Sequence, residues 1–291
     1  MSEPLIFPSP LVGEGVAQRR MRGNPSISHI LIFDSGLGGM SVYTEIEKVC
    51  PHATISYLAD DAIFPYGALS EDALVARVMH LMGEYIPKLK PDIVVIACNT
   101  ASTLVLPPLR ARFSIPFIGT VPAIKPAAER SKSGMFSVLA TPGTVARDYT
   151  KELIRLHAKA CDVTLVGAKN LARIAEEYMN RHPQLFPSPL AGEGAPKGRE
   201  RGDLIKTNML PSPQTHPTHT EAELLSQIRV EIAPAFVEKN GISTDIIVLA
   251  CTHYPLILPL LQQASPWQVE WINPAKAIAK RVVEVLKRQT I

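Results

Sequence analysis

"PDIVVIACNTAS", Pro91 to Ser102, decides the fold. An apolar run rich in Val and Ile, too short for a helix and without polar alternation, has the pattern of a strand covered on both faces in a parallel sheet. It stops at Cys98 and turns at once to Asn99 and Thr100. "TDIIVLACTHYP", Thr244 to Pro255, repeats this design 153 positions later, presenting Cys251 in the same way. Outward from these two runs, strand-like and helix-like segments alternate. "ISHILIFDSG" is a buried strand ending in a turn, "GGMSVYTEIEKVC" a helix and "ATISYLAD" a strand. "SEDALVARVMHLMGEYIPKLK" has apolar residues at helical spacing, with Ser70 as N-cap and two acids in the first turn. "PFIGTV", "MFSVLAT" and "VTLVGA" supply further short strands. The class is therefore α/β: two similar α/β domains with mainly parallel central sheets. Ligands of such sheets gather beyond the strands' carboxyl ends, where both cysteines fall.

Bulk properties narrow the function. The 291 residues, 46% hydrophobic, suffice for two cores, and a formal charge of +3 with dispersed basic residues points away from nucleic acid and towards a small-molecule partner. No stretch has the length and apolarity of a membrane span, and the first residues, "MSEPLIFPSPLVGEG", lack the pattern of a signal peptide. Four dispersed cysteines without a CxxC pair argue against a zinc site and for reduced thiols in the cytoplasm. "IFPSPLVGEGVAQRRMRG" from Ile6 is echoed by "LFPSPLAGEGAPKGRERG" from Leu185. Both copies lack periodicity, so residues 1–26 and about 183–220 read as irregular surface extensions.

The chemistry follows from the cysteine contexts. A thiol at a strand end, beside backbone N–H donors and a possible helix start, is expected to have a lowered pKa. A single such cysteine is more often a packing residue. Two matched copies suggest two half-sites facing one ligand, an arrangement suited to removing a proton from one face of a carbon and returning one to the other. Cys50 and Cys161 lack this context and read as packing residues. Asn99, Thr100 and Thr252 can cap a helix or hold a carboxylate, and His253 can exchange protons with the neighbouring thiol. In "FDSGLGG", Asp34 and Ser35 either receive an ammonium or cap the next helix. In "DDAIFPYG", Tyr66 and Gly67 either line a pocket or merely turn the chain. In "ATPGTVARDY", Thr144 serves equally as ligand contact or cap.

With "FDSGLGG", "FPYG", "ACNTAS", "VPAIKPA", "ATPGTV" and "LACTHYPL" in this order, the sequence resembles the glutamate racemases of the aspartate/glutamate racemase superfamily over roughly residues 28–182 and 221–291. The resemblance implies two pseudo-symmetric domains with the active site between them, no metal or other cofactor, and interconversion of L- and D-glutamate to supply D-glutamate for peptidoglycan. It implies that Cys98 is the base towards D-glutamate and Cys251 the base towards L-glutamate. Asp34, Ser35, Tyr66, Gly67, Asn99, Thr100, Thr252 and His253 fall on substrate-contact positions. Asp60, Thr144 and Glu176 fall on auxiliary positions, with Glu177 adjacent to the last. Two departures stand out: Ile63 occupies a place where many members carry Arg, removing a salt bridge usual there, and an insertion follows Arg181. The expected boundaries are a first domain of 27–123 and 256–291 and a second of 124–255 carrying the 183–220 insertion. The oligomeric state stays open, a homodimer included. Two other readings compete: a racemase of aspartate or a hydantoin, and a non-catalytic amino-acid-binding or thiol redox-sensing protein.

Overall fold

The computed structural model describes residues 27–182, 204–206 and 220–289. In chain order, its first part runs β1 (His29–Asp34), α1 (Met40–Val49), β2 (Thr54–Ala59), α2 (Glu71–Leu89), β3 (Ile93–Ile96), α3 (Asn99–Arg112), β4 (Phe117–Gly119) and α4 (Ile124–Arg130). The second part adds β5 (Met135–Ala140), α5 (Pro142–Ala146), α6 (Asp148–His157), β6 (Asp162–Gly167), α7 (Leu171–Arg181), β7 (Leu204–Lys206) and α8 (Glu221–Ile232). A small hairpin, β8 (Glu238–Lys239) and β9 (Ile242–Ser243), leads to β10 (Ile246–Ala250), α9 (Leu258–Ala264), β11 (Glu270–Ile272) and α10 (Ala275–Gln289).

Two parallel sheets result, in the orders β4-β3-β1-β2-β7 and β11-β10-β5-β6. Their middle strands β1, β3, β5 and β10 are largely apolar and buried because both faces are covered. In β1, Ile30 and Ile32 enter one core while Leu31 and Phe33 enter another; in β10, Ile247 and Leu249 face one core, and Ile246 and Val248 the opposite one. That is the twofold alternation of a strand between two helical layers. Ser70 caps α2 as its sequence predicts, accepting from the Ala73 N–H.

The strand orders explain where a ligand can sit. From β1 the chain steps to β2 on one side, then crosses to β3 on the other; from β5 it steps to β6, then later reaches β10 on the opposite side. Each sheet therefore opens a crevice at the carboxyl end of its middle pair, β1/β3 and β5/β10, the place where a doubly wound sheet takes ligands. Cys98 follows β3 and Cys251 follows β10.

Two boundaries differ from expectation. The segment 256–272, expected with the first unit, belongs with the second sheet: Leu260 and Leu261 are buried in its core, and β11 pairs with β10 in register from Ile246↔Glu270. The chain returns only with α10, whose Ile278 and Val282 pack in the same core as Val42 and Ile46 of α1. Conversely, α4 crosses to the second sheet, where Ile124 and Ala127 join the core of Phe136 and Val138. The two units thus exchange their last helices. The second difference lies within the 183–220 insertion, expected to be irregular: Leu204–Lys206 pairs in parallel with β2 and extends the first sheet, not the second. The rest of that insertion, up to residue 219, and the 1–26 extension lie outside the described residues.

Candidate active site

The carboxyl ends of the two sheets meet around one small cavity of about 20 Å³. Ser35, Tyr66, Gly67, Cys98, Asn99, Thr100, Thr141, Cys251, Thr252 and His253 all contribute to its wall. Both sulfurs thus face a common space, and the charge of Cys251 acts on Cys98. The volume suits about one water. An amino acid needs the two halves to part, so this is a closed arrangement.

On the side of β1, three contacts help to hold the halves shut. Asp34, fully buried at the end of β1, accepts the Ser35 N–H at 2.7 Å and, across the cleft, the Thr252 hydroxyl at 2.8 Å. Ser41 Oγ donates to the Thr252 carbonyl oxygen at 3.0 Å. The Leu37 N–H lies 3.3 Å from both oxygens of Glu176, which α7 presents from the other side. The helix-capping reading of Asp34 and Ser35 fails, because the N-cap of α1 is Gly39 and no side chain caps that helix. Asp34 is instead a buried carboxylate, pushed above its ordinary range by burial against the pull of His253 and the bonds from Thr252 and Ser35.

Cys251 lies in a chain of contacts. Its Sγ is 3.8 Å from His253 Nδ1, and His253 Nε2 is 2.6 Å from a Glu176 oxygen. Burial would drive the His253 imidazole down, yet the bonds to Cys251 and Glu176 outweigh it and hold the ring well above its ordinary value of 6.5. Glu176, not Glu177, is thereby the carboxylate that reaches the site; Glu177 turns away to an ion pair with Arg181. Removing this carboxylate should release the imidazole. In Glu176→Gln, the His253 titration followed by NMR is expected to move to lower pH, since burial then weighs more heavily. The raised wild-type value means that the pair's stabilisation is fully present below pH 6.5 and is lost as pH rises through the folded-state value. The stability gap between wild type and variant should therefore close on the alkaline side.

The Cys98 thiol donates to Ser35 Oγ at 3.8 Å. Contrary to the lowered pKa expected at a helix start, burial and then the charge of Asp34 push this thiol up. The first turn of α3 is present, but burial beside a carboxylate overrides its dipole. Cys251 has no α-helix directly behind it: a short 3₁₀ turn, Tyr254–Ile257, intervenes before α9. The polar groups beside Cys98 are disposed for a ligand. Asn99 is buried with neither amide atom partnered among the described residues. Thr100, Thr141 and Thr144 share their hydroxyls in a triangle with edges of 3.0, 3.3 and 3.1 Å. Thr141 is the N-cap of α5, so Thr144 is not. The sequence reading missed Thr141 as a wall residue, although its place after a strand, like that of Thr144, carried the signal.

Gly67 sits where a Cβ would come 3.2 Å from Thr141 Cβ, so a side chain there would crowd the wall. Tyr66 packs its ring beside Phe33 and gives its hydroxyl to Asp60 Oδ2 at 2.5 Å. Asp60, fully buried, also takes a two-pronged ion pair from Arg77 at 2.9 and 2.7 Å. Arg77→Met should strand that carboxylate, costing about 2 kcal/mol or more, somewhat less than a sealed pair because Arg77 is partly in water. Calorimetry should show a fall in Tm of several degrees, and Arg77→Lys a smaller one. Cys50 and Cys161 are half-buried against apolar cores away from the cavity, as packing residues. Among the described residues, no cluster of three or more His, Cys, Asp or Glu is arranged to hold a metal ion, and no helix is long and apolar enough to cross a membrane.

Comparison with known proteins matches this arrangement. The family model described as Asp/Glu/Hydantoin racemase matches residues 31–185. A glutamate racemase of Brucella canis is 48% identical over 258 residues, 88% of this chain and 79% of that one, and one of Brucella anthropi is 47% identical over 89% and 79%. Among solved structures, the Escherichia coli glutamate racemase in complex with L-glutamate and the activator UDP-MurNAc-Ala aligns with a TM-score of 0.71 at 32% identity, over 90% of this chain and 83% of that one. A Bacillus anthracis glutamate racemase aligns with a TM-score of 0.65 at 25% identity, over 90% and 82%. On this sequence, fold and closed two-cysteine cleft, the chain belongs to the Asp/Glu/hydantoin racemase family, among the glutamate racemases, and is an amino-acid racemase.

Proposed function

We propose that this racemase interconverts L- and D-glutamate by proton transfer between Cα and two thiols, Cys251 acting as base on the L-isomer and Cys98 on the D-isomer. The observation that carries the reading is the meeting of both sulfurs at one cavity, each from the crevice of a different sheet. The substrate's ammonium is assigned to Asp34 and Ser35. Its α-carboxylate is assigned to the Asn99 amide and the hydroxyls of Thr100 and Thr252, with Tyr66 and Gly67 completing the enclosure and Thr144 supporting the Thr100 and Thr141 hydroxyls from behind the wall. These groups supply what a carbanion at Cα requires: a cation-accepting carboxylate, neutral donors for the developing negative charge, and little water. Burial is the main cause that holds the Cys98 thiol protonated, and an ammonium beside Asp34 offsets the second cause, the repulsion from that carboxylate. His253, held protonated by its bonds to Cys251 and Glu176, is placed to exchange a proton with the Cys251 sulfur.

Glutamate is favoured over aspartate or a hydantoin because the relatives at 47–48% identity are glutamate racemases and the E. coli neighbour holds L-glutamate. We assign the reaction to the cytoplasm, where four free thiols stay reduced, and its product to peptidoglycan synthesis. The test is a polarimetric assay from each pure enantiomer in deuterated water. Signal should decay to the racemate with solvent deuterium at Cα, and faster for glutamate than for aspartate. Well-folded protein that exchanges neither enantiomer overturns the proposal.

A further inference from the structure

Tyr254, three residues beyond Cys251, is not among the cavity-wall residues, yet it is the most conspicuous polar group that the mechanism leaves unused. Its side chain is fully buried in the core of the second unit, the same core that holds Cys251. The Tyr254 N–H donates to the Cys251 carbonyl oxygen at 3.2 Å, closing one tight turn, so both side chains leave the same side of the backbone. Its hydroxyl completes no well-formed hydrogen bond among the described residues, yet it lies close enough to the Cys251 side chain for that group to act on it directly. A sealed hydroxyl without a well-formed bond is costly, and phenylalanine would fill this space without that cost.

We propose that Tyr254 is a positioning residue for Cys251, its hydroxyl turning to donate to the sulfur when that sulfur becomes a thiolate. This rests on the reading of Cys251 as a base. The loosely held hydroxyl of the resting thiol state is then the counterpart of a bond that becomes well formed in the charged state, so the interaction strengthens as the proton is taken. Tyrosine can do this without becoming an acid itself: burial first, then the charges of Cys251 and Glu231, hold its proton in place. The sulfur would be gripped from two sides, by His253 in the cavity wall at 3.8 Å and by Tyr254 from the core. The other titratable groups around it are Cys98 across the cavity, Glu176 and Asp34 acting through His253, and Glu231 of α8 beyond Tyr254, itself bonded by the Asn170 amide at 2.9 Å.

The test reads Cys251 directly, in a Cys98→Ser background, as the pH dependence of iodoacetamide alkylation of its peptide measured by mass spectrometry. Tyr254→Phe is expected to move the midpoint up by about one pH unit and Tyr254→3,5-difluorotyrosine, a stronger donor, to move it down. In the otherwise wild-type enzyme, Tyr254→Phe should lower kcat roughly tenfold, with KM little changed. A folded Tyr254→Phe protein whose midpoint stays or falls reduces Tyr254 to packing and overturns the proposal. Should that variant fail to fold, an unmoved midpoint in the difluorotyrosine variant overturns it alone. Because alkylation needs no turnover, failure of the two-thiol reading appears separately, as retained racemisation in Cys251→Ser.

Discussion

Cys98→Ser and Cys251→Ser should each lose racemisation by about a thousandfold or more, the upper range for removing a positioned acid or base. Serine keeps the shape and the polarity, but its hydroxyl is too weak an acid to be present as the anionic base near neutral pH, so what is lost is proton transfer, not binding. The double variant should be no worse than either single one, since residues that act as a unit do not add. The two losses should differ in one respect. With Cys251 intact, Cys98→Ser should still wash solvent deuterium into L-glutamate without inversion, because one base can take and return a proton on its own face. Cys251→Ser should do the same to D-glutamate only. Proton NMR of the Cα signal against time separates these outcomes. Wild-type turnover in either variant removes that thiol from the reaction, and exchange of both enantiomers by a single variant removes the assignment of faces.

Most of this site was legible because short-range pattern encodes it. Each cysteine ends a run of β-branched residues, and the strand pairing Ile93–Ile96 beside β1, like Ile246–Ala250 beside β5, converts equal sequence position into equal place at a crevice. What the sequence hid depends on contacts between distant segments. Nothing in "LARIAEEY" distinguishes Glu176 from Glu177, since adjacent residues on a helix point about 100° apart and only the tertiary fold says which direction holds His253. The Asp60–Arg77 pair was hidden for the same reason, with α2 bringing a guanidinium 17 positions away onto a buried carboxylate. The raised Cys98 pKa was missed because local helix chemistry is visible in sequence, whereas desolvation by the opposing sheet is not. The expected boundaries put α4 with the second unit and α10 with the first, as found, but assigned the segment 256–272 to the wrong unit, because its apolar residues call for an apolar partner without saying which sheet supplies it.

Gly38→Ala should cost racemisation about a hundredfold although position 38 holds no reactive group. A Cβ added there would lie 2.3 Å from His253 Nδ1, 2.6 Å from Cε1 and 2.7 Å from Cγ, separations that real carbon atoms do not tolerate. The ring cannot swing clear. It is sealed in the interior, bonded to Glu176 at 2.6 Å, in contact with Cys251 at 3.8 Å, and backed by the Phe64 ring at a centroid distance of 5.2 Å. The other escape is for the turn after β1 to draw back, which breaks Leu37 from Glu176 and Asp34 from Thr252 and leaves the cleft ajar. Either movement, of about 1 Å, misaligns the Cys251 side of the site, and a misplacement of that size costs on the order of 10²-fold. The His253 titration, still present in the variant, should shift as its bonds to Glu176 and Cys251 lengthen. Gly134→Ala is the control: with φ at +71° and open space around it, it should lower stability by about 1–2 kcal/mol and leave turnover intact. Equal losses of activity in the two variants would mean that backbone strain alone, rather than the docking of the first turn against His253, accounts for the effect.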